Sequence, residues 1–418
     1  MTAASTASTA STASTATTTA SAVYDPVEPP ERLLMGPGPS NPHPAVPRAA
    51  AAPVLGHLDP AYLAILGETA DMLRQVFGTS NALTLAVPGT GFSGMEASLC
   101  NLLEPGDALL VGAAGFFGAK MADIGARCGA NVTTVAGEWG KPISADALRS
   151  AAGELGRVKV IAVVLAETST GVRQPLAEVA ALAHEIGALL VVDAVTALGG
   201  MPIPVDELEL DAVYSCTQKC LGALPGLAPI TLSTRAVQAI EARKQPVQSW
   251  YLDLLALQRY WNPPHAYHHT SNVSLMYALH TALRLTLAEG LDARYARHAL
   301  NGTALRAGAA AIGMIPLAEP EHQLPMVAAL RVPDDVSDVV GLRKALLEED
   351  GIEIGGGLGD YASKVWRVGI MGYNAERRNI MRLLSAFERL LPRFGHTLTP
   401  GAGVAAAEDV YVGQSAGA

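Results

Sequence analysis

The stretch Leu189–Pro225, LLVVDAVTALGGMPIPVDELELDAVYSCTQKCLGALP, decides how the rest of the chain is read. Its opening apolar run ends in Asp193, and a second short run, DAVYS, is followed by Gln218 and Lys219. An acid and an amine, each just past a hydrophobic strand, converge at the carboxyl edge of a parallel sheet. Open α/β sheets place their ligands at that edge.

Outward from this stretch the same rhythm repeats. LAEVAALAHEIG reads as a helix ended by Gly187, and VKVIAVVLAETSTGVRQPL as a strand covered on both faces, because its apolar residues run without alternation. That strand runs into Glu167, Thr168, Ser169 and Thr170, hydroxyls that either reach a ligand or cap the next helix. Further upstream, LTLAV precedes PGTGFSGMEASLCNLL, with Gly89, Gly91 and Gly94 in GxGxxG spacing at a helix start. Small residues let backbone amides face an anion, and the helix dipole adds to the attraction. The dinucleotide form of this motif wants an acid at the end of the second strand, whereas ALLVG ends in Gly112, Ala113 and Ala114. A ligand with one phosphate fits better than NAD. The turn GAAGFFGAK brings Phe116 and Phe117 into the next helix, AYLAILGETADMLRQVF carries one apolar stripe, and LLMGPGPSNPHPAVP is stiff and irregular.

Strand, helix and strand in alternation predict an α/β fold with a mainly parallel sheet and helices on both faces. From about Asn272 the texture changes to two long helices and then alternating strands and helices, as a smaller C-terminal α+β domain requires. The expected division is a disordered Ser/Thr/Ala-rich tail over 1–30, a large domain over 31–275, a small one over 276–395 and a loose tail over 396–418.

Half of the 418 residues are hydrophobic and 16% are charged, which suits a compact enzyme-sized core. A net charge of -10 without a basic patch argues against nucleic acid, and no apolar run is long enough to suggest a membrane span. Four scattered cysteines without a CxxC pair point to packing side chains in a reducing cytoplasm, not to a disulfide framework or a metal site. The tail has no basic residue before Arg32, so it matches neither a secretory nor a mitochondrial leader.

Pyridoxal phosphate needs a lysine for its aldehyde, a carboxylate for its ring nitrogen and a cradle of amides and hydroxyls for its phosphate. Lys219, Asp193 and the Gly89–Gly94 turn offer one candidate for each. Arg367, between apolar neighbours in KVWRVGI, is awkward to bury unless it meets an anion.

The blocks GPGPSNP, PGTGFSGMEA, LLEPGD, AETSTGV, VVDAVTALGG, YSCTQKCLGALPG, AYHHT, GGGLG and WRVGIMGYN, in this order from about Leu34 to Leu391, resemble the class V aminotransferases of fold-type I. The likeness is strongest to the alanine:glyoxylate and serine:glyoxylate enzymes. The resemblance implies that Lys219 forms the Schiff base, Asp193 binds the pyridinium nitrogen, Val195 packs on one ring face and Phe117 stacks where many members carry tryptophan. It implies that Thr168 contacts the ring, and that Thr90, Gly91, Phe92 and Gln218 hold the phosphate. Tyr267 and Thr270 complete that cradle from the neighbouring subunit of a homodimer. Arg367 pairs with the substrate carboxylate, and Gly36 to Asn41 close the pocket. The implied reaction moves an amino group from alanine or serine to a 2-oxo acid such as glyoxylate or pyruvate. Ureidoglycine or hydroxykynurenine as donor, a class V lyase such as a cysteine desulfurase, and a non-catalytic dinucleotide-binding protein are the alternatives. A desulfurase needs a cysteine on a mobile loop, and a dinucleotide binder leaves Lys219 and Arg367 without a role.

Overall fold

The computed structural model describes residues 24–415. Residues 24–31 are exposed and irregular, and the expected tail over 1–30 otherwise lies outside the described residues.

The described residues from 32 onward make one compact unit. Its main sheet has seven strands: β1 (Leu83–Pro88), β2 (Ala108–Ala113), β3 (Asn131–Ala136), β4 (Val160–Val164), β5 (Leu189–Asp193), β6 (Ala212–Tyr214) and β7 (Leu227–Leu232). They lie in the order β1-β7-β6-β5-β4-β2-β3. Only β7 runs antiparallel to its neighbours, β1 and β6. All residues of β4 and β5 are buried, as their unbroken apolar runs require of strands covered on both faces. The covering helices include α1 (Pro60–Phe77), α2 (Gly91–Leu102), α3 (Phe116–Arg127), α4 (Ala145–Leu155) and α5 (Ala177–Glu185). Helix α1 starts at Pro60 behind the Asp59 cap, whose carboxylate accepts from the Ala61 amide at 2.8 Å, and Gly78 ends it in the left-handed conformation.

The buried hydrophobic residues fall into two large clusters. One surrounds the seven-stranded sheet and takes in Met276, Tyr277, Leu279 and Leu283 of α6 (Val273–Glu289). The other gathers α7 (Leu291–Ala311), α8 (Val339–Asp350), α9 (Arg377–Leu390) and the antiparallel strands β8 (Val327–Arg331) and β10 (Val365–Gly369). A two-residue strand, β9 (Gly355–Gly356), flanks β10 with Gly355 opposite Arg367. Met35 belongs to this second cluster, and Leu33 and Leu34 pair in parallel with Ile352 and Glu353. The start of the compact unit is therefore fastened to its far end.

The loose tail expected over 396–418 is corrected by the structure: Ala402–Ser415 is a helix, α10. Gly403, Ala407 and Tyr411, spaced four apart, are its buried positions, and the Tyr411 hydroxyl donates to Asn301 Oδ1 at 2.7 Å. Glu388 Oε1 accepts from the Gly403 amide at 2.6 Å and supports the helix start. Two of the three inward residues are glycine and alanine, so the stripe has little hydrophobic contrast to betray it. No described helix is long and apolar enough to cross a membrane.

Candidate active site

At the carboxyl edge of the main sheet a cavity of about 240 Å³ is lined by Gly38, Pro39, Thr90, Gly91, Phe92, Met95, Phe117, Asp193, Val195, Gln218 and Lys219. Eight of the sequence candidates thus meet in one place, carried there by the ends of β1, β2, β5 and β6.

Asp193 is the last residue of β5 and is 2% exposed. Its Oδ1 accepts from the Val195 amide at 2.8 Å and its Oδ2 from the Tyr214 hydroxyl at 2.7 Å. Tyr214 stands opposite Asp193 in the β5–β6 register, so the sheet itself sets this contact. Burial pushes the Asp193 carboxyl up to about 7, against the pull of these two donors. Such an acid calls for a buried cation to complete it.

Lys219 follows β6, and its Nζ donates to the Pro37 carbonyl. Burial holds its amine below the ordinary lysine range, with Arg367 adding to the effect. A lysine so placed is neutral more readily and hence a better nucleophile. Residues 37–40 form a cover over it. Ser40 Oγ donates to the Lys219 carbonyl at 3.0 Å, and the Ser40 amide to the Gln218 carbonyl at 3.0 Å. Gly38 has φ +117°, and a Cβ there would lie 2.5 Å from the Lys219 stem, so no side chain fits.

The phosphate candidates sit where β1 turns into α2. Thr90 precedes the helix without a side-chain capping bond, and the first-turn amides at Gly91 and Phe92 have no intrahelical acceptor by position. Gly91 packs so closely on Val195 that a Cβ would come within 2.9 Å of Val195 Cγ2. Gln218 Oε1 is buried and has no hydrogen-bond partner in this chain. Such an unpaired acceptor costs about 1–3 kcal/mol, and it is the amide N–H of the same side chain that can donate to an anion.

Phe117 forms an aromatic wall with Phe116, rings 5.4 Å apart and nearly perpendicular, and with Phe92 at 6.1 Å. Thr168, buried, shares a 2.5 Å hydrogen bond with Thr196, which leaves its hydroxyl capacity for one further partner. Arg367 uses Nε on the Gly356 carbonyl at 2.7 Å, and its two terminal nitrogens have no partner among the described residues. Burial lowers its guanidinium to about 10, while the Glu167 carboxylate pulls the other way. Gly36 packs against Gly355 beside Arg367. The Asn41 amide is engaged by Leu34, Arg32 and Asn374, which fastens the cover from behind.

Tyr267 and Thr270 do not line this cavity within one chain. Tyr267 is 64% exposed beside His57, while His268 stacks on Trp250 with rings 4.4 Å apart and anchors the segment. Sequence reading gave Glu167 no role beyond ending its strand, took in Pro37 only as part of the closing segment, and passed over Tyr214 and the place of Met95 in the cavity wall. Tyr214 alone had a signal, its place directly across from Asp193 once the two runs are aligned as neighbouring parallel strands.

A nucleophilic amine, a carboxyl in want of a cation and an anion-ready helix start fit the aldehyde, ring nitrogen and phosphate of pyridoxal phosphate. On a mainly parallel sheet this defines a fold-type I pyridoxal-phosphate enzyme. The model of the class-V aminotransferase family matches residues 54–378, and the chain belongs to that family. It is similar to the (S)-ureidoglycine–glyoxylate transaminase of Bacillus subtilis, 37% identical over 91% of this chain and 96% of that one. The alanine–glyoxylate aminotransferase of Drosophila melanogaster is 37% identical over 86% of this chain and 92% of its own. The crystal structure of an alanine–glyoxylate aminotransferase from Nostoc sp. superposes with a TM-score of 0.86 at 46% identity, covering 88% and 98% of the two chains. The chain is an aminotransferase.

Proposed function

We propose that this aminotransferase transfers the amino group of a small amino acid, alanine or serine, to a 2-oxo acid such as glyoxylate or pyruvate. It does so with pyridoxal phosphate held in the Lys219 cavity of a homodimer. The carrying observation is that Lys219 and Asp193, 26 positions apart, line the same cavity from two neighbouring strands. When bound, the cofactor supplies an electron sink for negative charge at the substrate α-carbon.

Lys219 Nζ, its proton affinity lowered by burial, would hold the cofactor's aldehyde until the substrate amino group displaces it, and the freed amine would then serve as general base for the α-carbon proton. Asp193, fixed by Val195 and Tyr214, would hold the ring nitrogen, whose positive charge would supply the cation that its buried carboxylate lacks. Thr90, Gly91, Phe92 and the Gln218 amide N–H would hold the phosphate, Thr168 would meet the ring edge, and Val195 and Phe117 would confine the ring faces. Arg367 offers its unpartnered terminal nitrogens to the substrate carboxylate, a bidentate geometry that guanidinium suits. Gly36 and Asn41 belong to the cover that keeps water from Lys219. Tyr267 and Thr270 complete the phosphate cradle of the partner subunit, which their exposed position permits. All four cysteines are buried, so none is presented as a desulfurase nucleophile, and a reducing cytoplasm suits unpaired thiols.

A second donor, ureidoglycine, is favoured by the Bacillus subtilis relative. Borohydride treatment of the yellow protein followed by peptide mass spectrometry should place a pyridoxyl group on Lys219. Protein that stays colourless with added pyridoxal phosphate sinks this reading. A half-reaction screen, following loss of the yellow band with alanine, serine and ureidoglycine, names the donor.

A further inference from the structure

Helix α3, which carries Phe116 and Phe117, begins without a cap of its own. Gly115 precedes it, no capping side chain serves it and its first turn has no acid. The first amides of a helix have no intrahelical acceptor, and leaving them unmatched in a buried place is costly. The acceptors come from the segment after β4. Ser169 Oγ accepts from the Phe116 amide at 3.0 Å, and Glu167 Oε2 from the Gly118 amide at 3.3 Å. The Ser169 hydroxyl passes its own proton towards Glu167 Oε1 at 2.5 Å, which also accepts the Ser169 amide at 3.1 Å.

The Ser169 hydroxyl and the amides of Ser169 and Gly118 all donate to this carboxylate and favour its ionised form, against burial, which raises it. Glu167 is 1% exposed, and its charge stands at the positive end of the α3 dipole and within electrostatic reach of Arg367. The fit is close, since a Cβ on Gly115 would come within 2.6 Å of Glu167 Cγ. Neither Glu167 nor Ser169 lines the cavity, whereas Phe117 does.

We propose that Glu167, through Ser169 and the amides of Phe116 and Gly118, is a positioning residue that sets the Phe117 ring over the cofactor site. This rests on the pyridoxal phosphate reading above. Phe117 stands where it does because a buried anion on a neighbouring segment holds the start of its helix. An arrangement of this kind fixes ring tilt without touching substrate.

Two variants test it. Glu167→Gln leaves one acceptor oxygen where two are needed, and Ser169→Ala removes the Phe116 acceptor while keeping the acid, so it decides if the first fails to fold. In cofactor-free protein, hydrogen exchange at the amides of 116–118 should quicken roughly tenfold or more in both, as local opening becomes easier. With pyridoxal phosphate bound, the induced circular dichroism of the visible band should change in amplitude. The kcat should fall about ten- to a hundredfold with KM for the amino donor little altered, as misplacement of a reacting ring predicts. Variants with wild-type exchange, dichroism and kcat overturn the proposal and leave the cofactor reading intact. A wild-type chain that takes up no pyridoxal phosphate overturns both.

Discussion

Replacing Asp193 with asparagine should make the cofactor-free protein more stable at alkaline pH while crippling the enzyme. Burial raises the Asp193 carboxyl from 3.8 to about 7 in the folded chain. Between those values the folded chain binds this proton more tightly than the unfolded chain does. Folding is therefore favoured at the acid end, and that advantage is lost as pH climbs through about 7. At 1.36 kcal/mol per pH unit the difference amounts to roughly 4 kcal/mol, a ceiling that pocket relaxation lowers. The D193N chain keeps the acceptor for the Val195 amide and carries no charge to desolvate. Urea unfolding of both cofactor-free proteins at about pH 5 and pH 8 measures the effect. Between pH 5 and about 7 wild type should lose up to roughly 2.7 kcal/mol to D193N, two units at 1.36 kcal/mol each. His269, which burial also shifts, is common to both chains and cancels in the comparison. A gap between the two chains that stays constant over this range refutes the reasoning. Transamination by D193N should fall by about two to four orders of magnitude, because an amide does not hold the ring nitrogen protonated.

Arg367→Lys, losing a two-pronged donor, should raise KM for the amino donor and the oxo acid alike by about ten- to a hundredfold, read by steady-state kinetics. Trp139 stacks on Tyr361 with rings 5.1 Å apart and 9° from parallel, and Tyr361 closes the loop after β9, whose Gly356 carbonyl orients Arg367. Such a stack is worth about 0.5–1.5 kcal/mol, so Trp139→Ala should raise KM about two- to tenfold and leave the Lys219 band unchanged. Removing residues 401–418 exposes the Tyr411 and Ala407 sites and should cost about 3 kcal/mol in urea unfolding, with the visible spectrum preserved.

The alternation of strands and helices was legible because β4 and β5 are apolar along their whole length, a pattern that only two-sided cover produces. Strand β7 was not. Pro229 lies inside it and Pro225-Gly226 just before it, turn chemistry that hides a sheet position between β1 and β6. Helix α10 escaped for a different reason: glycine and alanine at its inward positions give close packing without a hydrophobic signature. In the site, Lys219 and Asp193 could be singled out because each follows a strand. The cover at 37–40 and the Glu167 clamp depend on contacts between distant segments, which spacing does not encode. Arg367 stood out only by its discomfort among apolar neighbours.

The cover over Lys219 is tied down by partners made last. Leu33 and Leu34 pair with Ile352 and Glu353, and the Leu34 carbonyl accepts from Asn374, 340 positions away. During synthesis, then, the reactive amine is complete long before its shield can be fastened, and closing so long a loop is a slow, late event. A nascent chain that ends before residue 352 can make the bonds of the cover to Gln218 and Lys219, but none of those that anchor it to Ile352, Glu353 and Asn374.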